Sequence, residues 1–413
     1  MMREKFKLLF LLMIVILGLA LTLAACAPKD VLPPTPEPAE PVEIDEPAAT
    51  MVKIGFLGPI TGTNAAEGAA ARNAFQMAID QANASGNYPY TIGTIIVDDQ
   101  GAEPVAVAGA QQIVSDPLVV AASGFWNSGP AAAAIPVFKD AQMPLLIWGA
   151  IRETLTNPDN APWITRSAPT GKQENIPLAK MVLDDMEYKD WFVVSDTGPY
   201  GSGNFEAFID ELAARGIIPI GSEQVDEETT DLSAVVQLIK VSGAKAVYCG
   251  SIVNIASQLK RQLYEAGVTD ALFCGISGMK TENFLEIGDA AAEGALAVSP
   301  GIILDESEAG RKFIEDYNAQ GFSEPIGAYT PYAYEAALIL LNALSACGNN
   351  PTAEAMVDAI INSETTGVMG ATTFNEIGQT TNVAAYLNVI QDGEWLPYQN
   401  SDYASGARSF GGK

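Results

Sequence analysis

The sequence predicts an α/β protein of two lobes, each built on a parallel sheet, and three observations predict it. From residue 51 onward, short apolar runs alternate with amphipathic stretches of helical length, which is the pattern of repeated βα units. Residues 156–172 break that rhythm with proline, asparagine, threonine and glycine. The same rhythm then resumes near residue 190 and continues to about 300.

In the first lobe the strands are read as "MVKIGFLG" (51–58), "TIGTIIVDD" (91–99), "LVVAASG" (118–124) and "PLLIWG" (144–149), with helices over 65–85, 104–115 and 129–141. In the second they are "DWFVVSD" (190–196), "GIIPIG" (216–221), "AKAVYCG" (244–250), "DALFCG" (270–275) and "GALAVSP" (294–300). The last hundred residues differ. They read as helices over 306–320, 329–346 and 352–362, followed by the strand-like "AAYLNVIQDGEWLPY". That tail is too short for a third domain, so it must return to the lobes already built.

The chain has 413 residues, 48% of them hydrophobic, enough to bury sizeable cores. Fifty acids against 22 bases give a formal charge of −28, which repels nucleic acid and anionic lipid surfaces. There is no histidine. The usual general base at neutral pH, the Ser-His-Asp triad and the commonest zinc ligand are therefore all absent, and no cofactor motif such as Gly-x-Gly-x-x-Gly or a Walker lysine stands at a strand–helix turn.

The first residues, "MMREKFKLLFLLMIVILGLALTLAACAPKD", place Arg3, Lys5 and Lys7 before an apolar run, as in a signal peptide over 1–25. Leu23-Ala24-Ala25-Cys26 resembles a bacterial lipobox, in which Cys26 would carry the lipid. Residues 26–50 read as a tether. Seven prolines and six acids lie within 27–50, favouring an extended, self-repelling segment. Three other cysteines remain. Cys249 and Cys274 both end apolar runs before a glycine, so they could meet on neighbouring strands as a disulfide or as two buried thiols; Cys347 reads as a core thiol.

Several landmarks, in this order, resemble the branched-chain amino-acid-type substrate-binding proteins of ABC importers. They are "VKIGFLGPITGTNAAEGAAARNAFQMAIDQANA", "IIVDDQGAEPVAVAGAQQIVSD", "SDTGPYGSGNFEAFIDELAARG", "GAYTPYAYEAALILLNAL" and "VIQDGEW". The resemblance runs from about Val52 to Tyr398. It implies the type I periplasmic-binding fold, with two Rossmann-like lobes, parallel sheets, three crossovers and a ligand in the interlobe cleft. It divides the chain into lobe I (51–167 plus 301–378) and lobe II (168–300 plus 379–413). Independently, open parallel sheets bind ligands beyond the carboxyl ends of their strands.

The resemblance also implies roles for particular residues. Asn127 and Ser128, before the helix over 129–141, stand where the family offers a hydroxyl and main-chain N–H groups to the ligand carboxylate; capping of that helix is the alternative. Ala150 and Arg152, in "WGAIRET", match the second clasping segment. Arg152 is read as pairing a second ligand carboxylate or an acid of the facing lobe, or as a solvated arginine. Tyr200 and Tyr329 match aromatics that close on the ligand, with helix-start and core packing as their alternatives. Ser277, in "GISG", replaces the glutamate that takes the ligand ammonium, and Ile252 replaces an aromatic. Glu67 is a candidate for the missing carboxylate, or simply an acid at a helix N-terminus. Trp126 and Trp148 bracket the cleft and suggest a larger apolar ligand group, or are core.

The expected protein is thus an extracytoplasmic, lipid-anchored, monomeric solute-binding protein rather than an enzyme. Its partners are a small carboxylate such as an amino acid and the subunits of an ABC permease. Nucleic acid is excluded, and contact with the membrane is through the lipid alone. A sensory ligand-binding protein is the alternative. A hydrolase with Ser128 as nucleophile lacks a base, and "FWNSGP" is not a Gly-x-Ser-x-Gly elbow.

Overall fold

The computed structural model describes residues 51–411. The expected signal peptide, Cys26 and the tether lie outside the described residues. The first sheet has five strands in the order β2-β1-β3-β4-β5, all parallel. They are β1 (Met51–Gly58), β2 (Thr91–Asp98), β3 (Val119–Ser123), β4 (Leu145–Ile147) and β5 (Ile164–Arg166). Helices α1 (Ala65–Ser85), α2 (Glu103–Val114) and α3 (Ser128–Asp140) connect the first four. β5 falls inside the stretch that the sequence marks as a break; it is three residues long and too short to stand out from its loop-like flanks.

The second sheet has seven strands in the order β14-β13-β10-β9-β8-β6-β7. Its parallel part comprises β6 (Trp191–Asp196), β7 (Gly221–Val225), β8 (Ala246–Cys249), β9 (Leu272–Gly275) and β10 (Leu296–Pro300). β13 (Ala385–Gln391) and β14 (Glu394–Pro397) extend it antiparallel. The helices of this lobe are α4 (Gly171–Ala179), α5 (Pro199–Ala214), α6 (Ser233–Ser242), α7 (Val253–Glu265) and α8 (Glu282–Gly288). The strand expected over 216–221 is displaced. The apolar Ile217–Ile220 run leads into β7, with Ile218 85% exposed, and the strand itself is the polar "GSEQV" at the sheet edge. An edge strand needs no apolar face on both sides, so its signal is weak.

After β10 the chain returns to the first lobe. α9 (Glu308–Ala319), α10 (Thr330–Cys347) and α11 (Ala353–Ile361) follow, then a small hairpin, β11 (Thr365–Gly367) and β12 (Gly370–Thr372). α10 lies along α1, and the hydroxyls of Tyr88 and Tyr90 donate to the carbonyls of Leu341 and Leu344. The chain therefore passes between the sheets three times, and the passages run side by side. Arg166 bridges to Gln379 as a parallel partner, and Gly301 N donates to Ala384 O at 2.6 Å. Arg166, fully buried, ties this junction together: Nε reaches Gln379 Oε1 at 2.7 Å, and Nη1 reaches the carbonyls of Ala150 and Arg152.

Each sheet is packed by aromatic and aliphatic side chains on both faces. In the first lobe Trp148 is fully buried, stacks on Phe56 at 5.7 Å and donates its indole N–H to Leu57 O. It is core rather than a wall of the cleft. In the second, Phe208 stacks on Tyr248 at 3.9 Å, and Trp191 meets Phe208 edge-on. All three cysteines among the described residues are free. Cys249 faces Gly275 across β8 and β9, while Cys274 faces Tyr248.

Candidate functional site

The two sheets point the carboxyl ends of their parallel strands at a shared slot of about 50 Å³. Lobe I reaches it through the turn from β3 to α3. Asn127 is extended and occupies the N-cap without a side-chain capping bond, and Pro130 in the first helical turn has no N–H to lose. The main-chain N–H groups of Ser128 and Gly129 therefore have no acceptor within the helix, while Ala131 N takes Asn127 O. With the helix dipole, this end of the slot favours an anion. The Glu103 carboxylate stands just outside it, 2.9 Å from where a β-carbon at Gly129 would fall.

Lobe II contributes the turns after β6, β7, β8 and β9. Asp196, Tyr200, Glu227, Ile252, Ser277 and Gly278 line the slot from that side. Tyr200 Oη accepts from Gly278 N at 3.0 Å, which fixes the ring against the β9 turn. Tyr329, the N-cap of α10, lines the slot as well.

Behind this lining sits a fully buried acid that sequence reasoning did not single out. Glu174, on α4, accepts from the Tyr329 hydroxyl and from Ser277 N at 3.3 Å, and Ser277 Oγ lies 3.0 Å from Tyr329 Oη. Burial pushes its carboxyl up to about 7, against the hydrogen bonds of Ser277 and Tyr329 and the charge of Arg166. Burial likewise holds the Tyr200 and Tyr329 phenols well above their usual range, so both remain protonated donors.

Of the residues expected at the site, Trp126, Asn127, Ser128, Tyr200, Ser277 and Tyr329 share the slot. Ala150 does not line it. It is fully buried, with its N–H on Phe125 O and its carbonyl on Arg166, and so braces the turn from behind. Arg152 reaches the facing lobe, but not an acid: Nη1 donates to Pro199 O and to Ser202 Oγ, each at 2.7 Å. Its main-chain N–H meets Ser128 Oγ at 3.3 Å. Glu67 lies outside the slot. It lines a neighbouring cavity of about 270 Å³ with Asn64, Thr281 and Glu282, where burial raises its carboxyl to about 7 against the charge of Lys280.

The acids that do line the slot are Asp196 and Glu227. Asp196 was discoverable, since it ends the strand "WFVVSD" where ligands gather. Glu227 sits in the acid-rich stretch "VDEETTD", which carries no signal of its own. Among the described residues no group of three or more carboxylates and thiols could hold a metal ion.

A family profile described as "Periplasmic binding protein" matches residues 51–394. A curated relative, the Leu/Ile/Val-binding protein homolog 3 of Brucella melitensis, is 26% identical over 349 residues, spanning 83% of this chain and 92% of that protein. Among solved structures, the branched-chain amino acid transporter substrate-binding protein LivJ of Streptococcus pneumoniae, in complex with isoleucine, superposes with a TM-score of 0.76 at 22% identity. That match covers 84% of this chain and 98% of the other. A solute-binding protein of an R. palustris ABC transporter, in complex with 4-hydroxybenzoate, superposes with a TM-score of 0.75 at 20% identity, covering 84% and 95%.

Proposed function

Since the chain belongs to the periplasmic binding protein family, a family of extracytoplasmic substrate-binding proteins rather than enzymes, we propose that it captures an amino acid or related small carboxylate between its lobes and delivers it to the permease of an ABC importer. The observation that carries this reading is the slot itself. Strand ends of both lobes converge on it, and α3 presents to one end N–H groups that have no acceptor within the helix. Its volume of about 50 Å³ admits little more than a water or two, so a ligand enters by parting the lobes and is enclosed as they close. The names of the relatives support the ligand class: one is a Leu/Ile/Val-binding protein, and the superposing structures hold isoleucine and 4-hydroxybenzoate.

In this reading lobe I comprises residues 51–167 with 301–378 and lobe II residues 168–300 with 379–413. The protein acts as a monomer held at the outer face of the cell membrane through lipidated Cys26. Ser128 and the α3 N-terminus take the ligand carboxylate. Thermal-shift titration with amino acids and aromatic acids tests the reading, since a ligand at 100 times its dissociation constant adds about 2.7 kcal/mol of stability. Ser128→Ala is expected to weaken that response with the fold intact. A panel that produces no shift would sink the assignment.

A further inference from the structure

Three buried side-chain oxygens of the first lobe have no hydrogen-bond partner among the described residues, and their side chains gather around Gly101. They are Asn64 Oδ1, Asp99 Oδ2 and Asn127 Oδ1. Asp99 and Asn64 are buried as whole residues. The other oxygen of Asp99 accepts from Gly101 N at 2.8 Å. Asn127 Oδ1 and Asn64 Nδ2 lie 3.4 and 3.8 Å from where a β-carbon at Gly101 would stand. Gly101 has a φ of +67°, which favours glycine, so no side chain fills the space between the two amides.

The fold explains why they meet. Asn64 ends the turn after β1, Asp99 follows β2 and Asn127 lies in the turn after β3, and these strands are neighbours in the order β2-β1-β3. Local structure does not use the three oxygens. Asn64 and Asn127 stand at the N-caps of α1 and α3, yet neither makes a side-chain capping bond. Neither amide donates to Asp99, whose Oδ2 stays unpaired. Asp99 enters no ion pair among the described residues, and the charge acting on its carboxyl is that of Asp98, a second acid. Asp98 itself is engaged, accepting from Thr61 N, Thr61 Oγ1 and Gln100 N. A buried carboxylate and two buried amide oxygens need a shared positive partner. One water brings two hydrogens to three acceptors and no charge, whereas a hard cation satisfies all three at once.

We infer that Asn64, Asp99 and Asn127 form a binding site for a hard metal cation, calcium or sodium, within the first lobe. Carboxylate and amide oxygens are the donors such ions take, and calcium accepts about six to eight oxygens in flexible geometry, so water completes the set. A cation there ties the turn after β3 to the two strands beside it. It thereby steadies the start of α3 where that helix borders the slot. The site goes beyond the solute-binding reading and does not depend on it.

The test uses the folded protein, stripped of metal with EDTA and held at pH 8. Burial raises the Asp99 carboxyl to about 7, so at that pH it has released the proton with which a cation competes. Melting temperature is measured in calcium chloride, sodium chloride and choline chloride at equal ionic strength, with no solute present, and affinity follows from its dependence on cation concentration. Calcium, sodium or both are expected to raise it by about 2 °C or more over choline at saturation, and the two arms identify the ion. Asp99→Asn keeps the shape of the side chain and removes its charge; it is expected to weaken the cation by about tenfold or more. Asn64→Ala removes one neutral oxygen from a side chain that makes no capping bond, and is expected to weaken the cation several-fold. It carries the test if Asp99→Asn does not fold. Equal melting temperatures in all three salts would overturn the inference. So would a cation response of the same strength in the parent and in the folded variants, since it would then belong to acids elsewhere on the surface.

Discussion

Tyr329 donates its phenolic hydrogen to the Glu174 carboxylate, and in doing so joins the late helix packed on the first lobe to a helix of the second. The same hydroxyl lies 3.0 Å from Ser277 Oγ. One tyrosine thus holds two elements of the facing lobe, and it does so at the wall of the slot. Removing the hydroxyl in Tyr329→Phe is expected to cost about 1–3 kcal/mol, because Glu174 stays buried with a partner lost. Small-angle scattering of the unliganded variant should show a larger radius of gyration than the parent. Identical scattering and an identical melting temperature would mean that the bond contributes nothing to closure.

Arg152 makes the second bridge, through two hydrogen bonds of 2.7 Å to the first turn of α5. It donates to neutral oxygens, so its contribution is that of hydrogen bonds rather than of an ion pair. Arg152→Ala is expected to speed ligand dissociation several-fold with little change in association, since the contact forms only when the lobes meet. Stopped-flow measurement separates the two rates. An unchanged dissociation rate would place Arg152 outside the closing machinery.

Stability should fall as pH rises from mildly acidic to neutral. Glu67, Glu174 and Glu335 are pushed up from 4.5 to about 7 by burial, and Asp99 from 3.8 to about 7 by the same cause. Each keeps its proton in the folded chain where the unfolded chain has released it. Their stabilisation is therefore complete below the unfolded values and lost as pH rises through about 7. Asp116 and Asp184 act in the opposite sense: hydrogen bonds from Lys53 and Arg215 lower them, and what they contribute is lost below 3.8. Melting temperature is expected to peak at about pH 4–5, and Glu174→Gln should flatten the decline towards neutrality. A melting temperature that climbs steadily from pH 5 to pH 8 would contradict the argument.

Cys249 and Cys274 should be inert to a thiol reagent in the native protein. Both are fully buried, and burial pushes the Cys249 thiol up to about 12 and raises Cys274 as well, so neither offers a thiolate. Cys347 is only partly buried and should react first. Native labelling is expected to modify Cys347 alone among the three, and labelling in denaturant all of them. Rapid native loss of Cys249 or Cys274 would show that the second sheet opens far more readily than its packing implies.

The fold was legible because its signal is local. Helices such as Ala65–Ser85 and Thr330–Cys347 emerged within a residue of their expected bounds, as apolar periodicity specifies them. The slot was legible only in part. Ser128 and Tyr200 follow strand ends and stand at helix starts, both local features. Glu174 lies just past the stretch that reads as a break, on a helix that begins inside it, and its partner Tyr329 is 155 residues away. Nothing in either segment announces the other. Glu67 shows the same limit: the strand end near it is correct, but its carboxylate lies beside Gly327 and lines a separate cavity.

The three passages between the sheets lie shoulder to shoulder, Arg166 against Gln379 and Gly301 against Ala384. Mechanically, such a band is stiff against sliding and twisting and yields mainly by bending about one line. Capture then becomes a motion with a single soft direction, and its energetics depend on few contacts. The same redundancy carries a chemical consequence: a protease that nicks one passage leaves two covalent links, so the lobes stay in register and the cut chain keeps its grip.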